Sequence, residues 1–294
     1  MKTVPLMLVF AVAASAGLAA QTAPPISAND KPETTATAPE PTPGSGLLGL
    51  PVSAVADPGS RKAAGLLEQM VRALGGRAYL SIESMEQSGR TYGFYHGESS
   101  GAGVLYWRFW KWPDRERYEM TKQRNWSIVY NGNDAAEITY RGAAPLESDV
   151  LADYLRRHNH SLATVLRTWL QQPGVALLYE GMVAVDRRQA EQVSVLTANN
   201  DAVSISIDMD RHLPLRVAFS WRNPTYKDRT EESEVYDGYR VVQGIMTPSN
   251  ITRYRDGEVV NQRFINDTKY NVALADSMFQ TKISANANAT PKKR

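Results

Sequence analysis

The sequence predicts a mainly β fold with helices (α+β), built on a strongly curved antiparallel sheet or open barrel whose concave side is covered by helices. Three observations support this fold class. About ten or eleven short segments have the two-residue period of strands, and Gly, Asn and Asp turns separate them. One amphipathic helix pattern precedes these strands, and a second interrupts them. So long a sheet must curve, and a curved sheet under helices encloses apolar volume.

Composition excludes several classes of protein. The chain has 294 residues, of which 43% are hydrophobic and 9% aromatic, enough apolar surface for a sizeable core. Its formal net charge of +2 is too balanced for a nucleic-acid partner or an anionic membrane. Cysteine is absent, which excludes disulfides, thiol nucleophiles, Cys-ligated metals and a lipid anchor on an N-terminal Cys.

Residues 1–20 have the layout of a secretory signal peptide. Lys2 gives a basic start, an apolar stretch runs from Val4 to Val12, and small residues end at Ala20. The alternative is a membrane anchor, but this stretch is shorter than the ~20 residues that span a bilayer. We expect export with cleavage near Ala19 or Ala20. The mature protein would then be periplasmic or extracellular and soluble, with no stable membrane span.

Residues 21–60 predict a disordered linker rich in Pro, Ala and Thr. Half of the 16 prolines fall here, and the only aromatic residue before position 61 is Phe10. Leu47-Leu48-Gly49-Leu50 is the exception, because it could dock on the domain or form an apolar turn. Residues 61–283 form the single predicted domain, and 284–294 are expected to be a disordered tail.

Two helical regions are expected. The first contains apolar residues at three- and four-residue spacing from Ala64 to Leu74 and stops at Gly75-Gly76. The second, residues 148–172, has an apolar face with a break near His158-Asn159-His160 and a stop at Pro173-Gly174. These helices are the predicted cover of the concave side.

The strands follow the first helix. Tyr79, Ile82 and Met85 lie in a first extended segment, and residues 103–112 give the strongest strand pattern. Asn131-Gly132 and Asp256-Gly257 indicate hairpins. The remaining predicted strands are 126–130, 137–140, 182–185, 192–197, 202–208, 215–221, 234–242, 245–255 and 258–270.

Most candidate chemistry has a structural explanation. Gly97-Glu98-Ser99-Ser100-Gly101 matches a nucleophile elbow, but a strand rather than the required helix follows it. His158 and His160, at i and i+2, would point apart, which favours exposed histidines over a metal site. Glu231-Glu232-x-Glu234 indicates a solvated strand edge. No P-loop or dinucleotide motif occurs, so no cofactor and no metal are expected.

The order of features resembles the LolA-like superfamily of periplasmic lipoprotein carriers, also described as outer-membrane lipoprotein-sorting proteins. The resemblance is carried, in order, by Ala73-Leu74-Gly75-Gly76 with a strand over 78–88, Lys111-Trp112-Pro113-Asp114-Arg115 after the aromatic strand, Val129-Tyr130-Asn131-Gly132, Ile207-Asp208-Met209-Asp210 with Leu213-Pro214-Leu215-Arg216, and the segment from Gly244 to Phe279. It implies a half-open barrel of antiparallel sheet covered by helices, with an apolar cavity for acyl chains. Two departures are Ala136-Glu137, where the family often has tryptophan, and the Pro-rich leader.

These observations together predict an exported, non-enzymatic protein that binds a lipid, a lipoprotein acyl chain or a similar lipophile on the concave side. The aromatic strand is apolar on both faces, so the sequence does not decide which face lines the cavity. The expected lining residues are Leu105, Trp107, Phe109, Trp126, Ile128, Tyr130, Val217, Phe219 and Trp221 from strands, and Leu155, Leu162, Leu166 and Trp169 from the helical cover.

Two alternatives stay open. The first is a structural or interaction module of the cell envelope, with a filled core and envelope proteins as partners. The second and weaker alternative is a secreted serine hydrolase that uses Ser99.

Overall fold

A 14-stranded antiparallel sheet dominates the computed structural model, which describes residues 46–223 and 227–282, apart from the side chains of 52 and 53. The strands are β1 Ser84–Tyr95, β2 Glu98–Ser99, β3 Val104–Lys111, β4 Arg115–Met120, β5 Trp126–Asn131, β6 Asp134–Thr139, β7 Gly142–Pro145, β8 Ala176–Val185, β9 Arg188–Leu196, β10 Ala202–Asp208, β11 Pro214–Arg222, β12 Arg229–Asp237, β13 Arg240–Val242, β14 Ile245–Thr247, β15 Asn250–Arg255 and β16 Glu258–Tyr270. β13 and β14 form a separate two-stranded sheet.

The sheet is open. Its order is β7-β6-β5-β4-β3-β1-β16-β15-β12-β11-β10-β9-β8, with β2 attached to β1. The end strands β7 and β8 do not pair with each other, so the curved sheet leaves a gap between its two edges. The predicted fold class is confirmed. The sheet has more strands than expected, partly because short or charged strands such as β2 and β4 give little periodic hydrophobicity.

The predicted first helix is confirmed as α1, Pro58–Leu74. Asp57 and Ser60 cap its start reciprocally, each side chain accepting a hydrogen bond from the backbone of the other. The buried face of α1 packs against β8 and β9.

The segment after α1 differs from the expectation. Gly75 and Gly76 both have positive φ and turn the chain into a second short helix, α2, Arg77–Leu80. Tyr79 therefore lies in a helical turn rather than in an extended segment, and β1 begins only at Ser84.

The helical insert is confirmed as α3, Ser148–Asn159, α4, Leu162–Arg167, and a 3-10 turn, Trp169–Gln171. The break falls at His160 and Ser161, and the Ser161 hydroxyl caps α4 by accepting a hydrogen bond from Thr164 N. Four side chains of α4 are buried, whereas Tyr154 is the one buried residue of α3. α3 is thus held over the sheet by few apolar contacts.

The largest core lies between the concave face of β8 to β11 and helices α1 and α4. Leu48 and Leu50 belong to this core, so the Leu47 to Leu50 segment docks on the domain. Packing therefore begins before residue 61. On the other face of the sheet, Phe109 and Val129 pack against Phe279 of a 3-10 turn, Asp276–Phe279.

The predicted signal peptide and the predicted C-terminal tail lie outside the described residues. Within residues 46–223 and 227–282, no helix has both the length and the apolar character needed to cross a membrane.

Candidate ligand-binding cavity

A cavity of about 470 Å³ lies between the concave face of the sheet and helices α3 and α4. Strands β1, β3, β4, β5, β11, β12, β15 and β16 all contribute side chains to its wall. Because side chains alternate along each strand, one continuous row from each strand faces this space.

One end of the cavity is apolar. Met85 on β1, Trp110 on β3 and Tyr270 on β16 lie on neighbouring strands, and Ile82 packs against them. The Tyr270 hydroxyl forms a hydrogen bond of 2.8 Å with Thr247 Oγ1. The phenol is therefore satisfied within the protein, and this end offers mainly hydrocarbon surface to a ligand.

The middle of the wall carries a buried ion pair. Arg108 on β3 donates to the Glu116 carboxylate on β4, and Glu116 is 3% exposed. Burial by itself would raise the pKa of Glu116, but the charge and hydrogen bond of Arg108, together with the neighbouring tyrosine hydroxyls, outweigh burial and hold that pKa below its usual range. Burial by itself would lower the pKa of Arg108. The nearby Glu116 carboxylate acts in the opposite direction, and the pKa of Arg108 is raised overall. Both groups are charged at neutral pH.

Tyrosines surround this pair. Burial raises the pKa of Tyr118 and Tyr154 above the usual phenol range, and it raises that of Tyr130 to about 12. These hydroxyls therefore stay protonated at neutral pH and offer hydrogen bonds rather than charge.

The opposite end of the cavity is charged, which corrects one expectation. Glu232 and Glu234 were expected on a solvated edge, but β12 is an inner strand between β11 and β15, and Glu232 is 1% exposed. Arg255 donates to Glu232 at 3.1 Å, and Arg263 donates to Glu234 at 3.0 Å. These partners come from β15 and β16, so the burial is compensated by pairing across strands.

The two histidines of the insert are also less exposed than expected. The ring of His160 stacks on Phe219, with 4.3 Å between centroids, and the residue is 9% exposed. Burial lowers the pKa of His158, which is neutral at pH 7. Among the described residues, no group of three or more His, Asp or Glu side chains could hold a metal ion.

The structure brings some of the sequence-predicted lining residues together and separates others. The five that line the cavity are Ile128, Tyr130, Leu162, Val217 and Phe219. Leu166 and Trp169 lie in the main core, and Trp221 packs against it. Leu155 is half-buried on α3, and Trp126 is exposed and donates to Glu137.

The aromatic strand turns its other face to the cavity. Tyr106, Arg108 and Trp110 line the space, whereas Leu105, Trp107 and Phe109 lie on the opposite face. Trp107 and Phe109 pack there near Phe279. The alternating arginines of β15 are the sequence signal for the charged end that sequence reasoning missed.

Ser99 lies in the two-residue strand β2 of an exposed hairpin, and its hydroxyl donates to Gly101 O at 2.9 Å. β3 follows it, so the strand-to-helix context of a nucleophile elbow is missing around this serine.

No protein-family model matches this sequence, and no curated protein matches it either. Among solved structures, a DUF1329 family protein from Desulfovibrio piger is 12% identical, with 74% of this chain and 97% of that chain covered and a TM-score of 0.53. A putative outer membrane lipoprotein-sorting protein domain from Vibrio parahaemolyticus is 8% identical, covering 74% and 96%, with a TM-score of 0.49. A LolA superfamily protein from Nitrosomonas europaea is 13% identical, covering 74% and 97%, with a TM-score of 0.46.

These similarities concern the fold. The chain shares the architecture of the DUF1329 family protein, and its open curved sheet under helices is what the sequence resemblance implied. The half-open antiparallel sheet that the resemblance implied is thereby confirmed as the fold of this chain.

Proposed function

We propose that this protein is a non-enzymatic binding protein for a lipid, a lipoprotein acyl chain or a similar lipophile, held in the concave cavity. The observation that carries the proposal is that the space under α3 and α4 is hollow. Its volume of about 470 Å³ falls within the ~300–1,000 Å³ of typical ligand sites. A structural module with a filled core would not need this space.

The apolar end supplies the driving force. Removing alkyl groups from water is worth about 0.8 kcal/mol per CH₂, so one chain packed against Met85, Trp110 and Tyr270 gains useful affinity. Preformed walls reduce the ordering cost of binding.

The proposal includes export to the periplasm or the extracellular space, because residues 1–20 have the pattern of a secretory signal. The intact mass of the protein recovered from its exporting host tests this part. We expect the loss of about the first 20 residues. A full-length mass in the cytoplasm would contradict it.

Titration with an environment-sensitive fluorescent fatty acid tests the binding function. Ile128→Trp fills the cavity from β5, and Ile138→Trp on the adjacent β6 is the matched control, because Ile138 packs near Phe109 on the other face. We expect saturable binding by the parent protein and the Ile138 variant, and binding at least about 10-fold weaker for Ile128→Trp. Thermal unfolding of each variant confirms that it is folded.

Absence of saturable binding by the parent protein would overturn the proposal in favour of an envelope module. Equal weakening by both tryptophan variants would show that the probe does not occupy this cavity. Trp107→Ala provides a further control: the side chain faces away from the cavity, and its loss is expected to leave probe affinity unchanged.

A further inference from the structure

The charged end of the cavity contains an arginine that has no ion-pair partner among the described residues. Arg253 lies on β15 between Glu234 on β12 and Asn261 on β16. Its guanidinium lines the cavity but forms no hydrogen bond or ion pair with any described residue, and its Nε is buried without a partner. A half-buried cation with no ion-pair partner and a buried, unpartnered Nε is costly, which makes this position unusual.

The neighbouring carboxylates accept hydrogen bonds from other side chains, although Glu232 Oε2 has no partner among the described residues. Glu232 accepts hydrogen bonds from Arg255 and from Trp221 Nε1, both at 3.1 Å. Glu234 accepts from Arg263 and from the Tyr236 hydroxyl, both at 3.0 Å. Although Glu234 is the cross-strand neighbour of Arg253, the two side chains do not form an ion pair. The carboxylates on this wall therefore form no ion pair with Arg253, although the negative charges of Glu234 and Glu232 partly offset its burial.

A second arginine approaches from the helical cover. Arg157 on α3 lines the same cavity and pairs with Asp153 of its own helix. Asp153 is shared, because Arg255 and Arg156 donate to it at 2.7 and 2.8 Å. Burial lowers the pKa of Arg157, and the next contribution is the positive charge of Arg253. The two positively charged guanidinium groups therefore repel each other.

The whole cluster has an excess of positive charge. Five arginines share three carboxylates, so two positive charges are not balanced within the cluster. The arginines are Arg156, Arg157, Arg253, Arg255 and Arg263, and the carboxylates are Asp153, Glu232 and Glu234. An anion bound there would offset both the repulsion and the desolvation of Arg253.

The apolar end and the charged end lie along the same strands. On β1, Met85 marks the apolar end and pairs with Tyr270, whereas Thr91 pairs with Arg263 at the charged end. Six residues of strand separate them, which is about 20 Å. One elongated molecule could therefore contact both ends of the cavity.

We propose that the cavity binds an anionic amphiphile, with its carboxylate or phosphate group on Arg253 and Arg157 and its alkyl chain directed towards Met85, Trp110 and Tyr270. This inference rests on the proposed lipophile-binding function and narrows the class of ligand. A guanidinium donates two parallel hydrogen bonds to the oxygens of a carboxylate or phosphate. Neutral lipids have no such charged group to accept them. The headgroup would then orient the chain within the cavity.

Competition experiments test the headgroup. Palmitate, its methyl ester and inorganic phosphate are each titrated against the fluorescent fatty acid bound to the full chain. We expect palmitate to compete about 10-fold or more better than the ester. In Arg253→Gln this preference should largely vanish, because palmitate should lose about 10-fold more affinity than the ester does. Arg229→Gln, at an exposed position of β12, is the matched control and should retain the preference.

Two further measurements make the outcome decisive. Arg253→Lys keeps the charge but loses the two-pronged geometry, so its preference for the acid should be intermediate. Without ligand, Arg253→Gln should unfold at the same or a higher temperature than the parent, because it removes an unpaired buried charge.

The inference is overturned if the ester competes as well as the acid or if Arg253→Gln weakens both equally, and the lipophile-binding function then stands. Competition by phosphate alone as strong as by palmitate would identify a free-anion site instead of an amphiphile headgroup. If neither palmitate nor its ester binds, the proposed function fails together with this inference.

Discussion

The ring of Tyr154 on α3 lies flat on the ring of Tyr130 on β5, with 3.5 Å between their centroids and 9° between their planes. Tyr130 is part of the cavity wall, and Tyr154 is the one buried side chain of α3. The other contacts of α3 with the sheet are largely polar, such as Asp153 with Arg255. The stacked pair is therefore the main apolar contact that holds α3 over the cavity.

Tyr154→Ala is expected to loosen α3 more than the rest of the molecule. Losing a buried aromatic side chain and its stacking costs about 3–5 kcal/mol, and most of that cost falls on the docking of α3. Hydrogen exchange should become faster in Ser148–Asn159 while β9 and β10 stay protected.

The control for this change is Tyr140→Ala, because Tyr140 is 81% exposed. It should leave exchange in α3 unchanged. Uniformly faster exchange across the sheet in Tyr154→Ala would show that α3 is not a separate unit of stability.

Removing one partner of the buried Arg108–Glu116 ion pair is expected to lower the free energy of unfolding more than removing both partners does. Glu116→Gln leaves Arg108 charged and uncompensated, which costs about 3–5 kcal/mol of unfolding free energy. The double variant Arg108→Met with Glu116→Met should lose less than Glu116→Gln alone. Urea unfolding of the parent and of these two variants measures this difference, and a larger loss in the double variant than in Glu116→Gln would contradict it.

The same carboxylate is expected to contribute to acid unfolding. Burial alone would raise the folded-state pKa of Glu116, but the charge and hydrogen bond of Arg108, together with the neighbouring tyrosine hydroxyls, hold it below its ordinary value of 4.5. The stability it contributes is therefore present above about pH 4.5 and is lost as the pH falls through the folded-state pKa. Unfolding free energy measured from pH 7 down to pH 3 should fall less steeply for Glu116→Gln than for the parent. An unchanged slope would rule out this contribution.

Gly89 is expected to tolerate no side chain. It lies at the irregularity between β1 and β16, where a Cβ would come within 2.1 Å of Phe264 O. Gly89→Ala should force the backbones apart and cost at least about 1–3 kcal/mol. Gly93→Ala on the same strand is the control, because its Cβ would meet only Ser100 at 3.7 Å. Similar urea midpoints for both variants would contradict this account.

Local patterns in the sequence were enough to predict the helices and most of the strands. The apolar spacing from Ala64 to Leu74 predicted α1, although the capped start at Asp57 lies in the segment expected to be a linker. The turn chemistry of Asp256-Gly257 separates β15 from β16. Tyr79 was misassigned because two consecutive glycines with positive φ allow a tight turn followed by a single helical turn.

The cavity wall could be predicted only in part, because its faces are decided by distant segments. β3 is apolar on both sides, and Phe279, about 170 residues later, covers Phe109. From the sequence alone, Glu232 is expected to be solvated. The pairing of β12 with β15 places Arg255 beside it, and this partner allows the carboxylate to be buried. Periodicity within one strand carries no information on these partners.

A crystal structure with a terminally brominated fatty acid would locate the bound ligand, because the anomalous signal of bromine marks the end of the alkyl chain. We expect a bromine peak among Met85, Trp110 and Tyr270, with the carboxylate at Arg253. A cavity closed by its own side chains, or bromine bound only on the outer surface of the sheet, would contradict it.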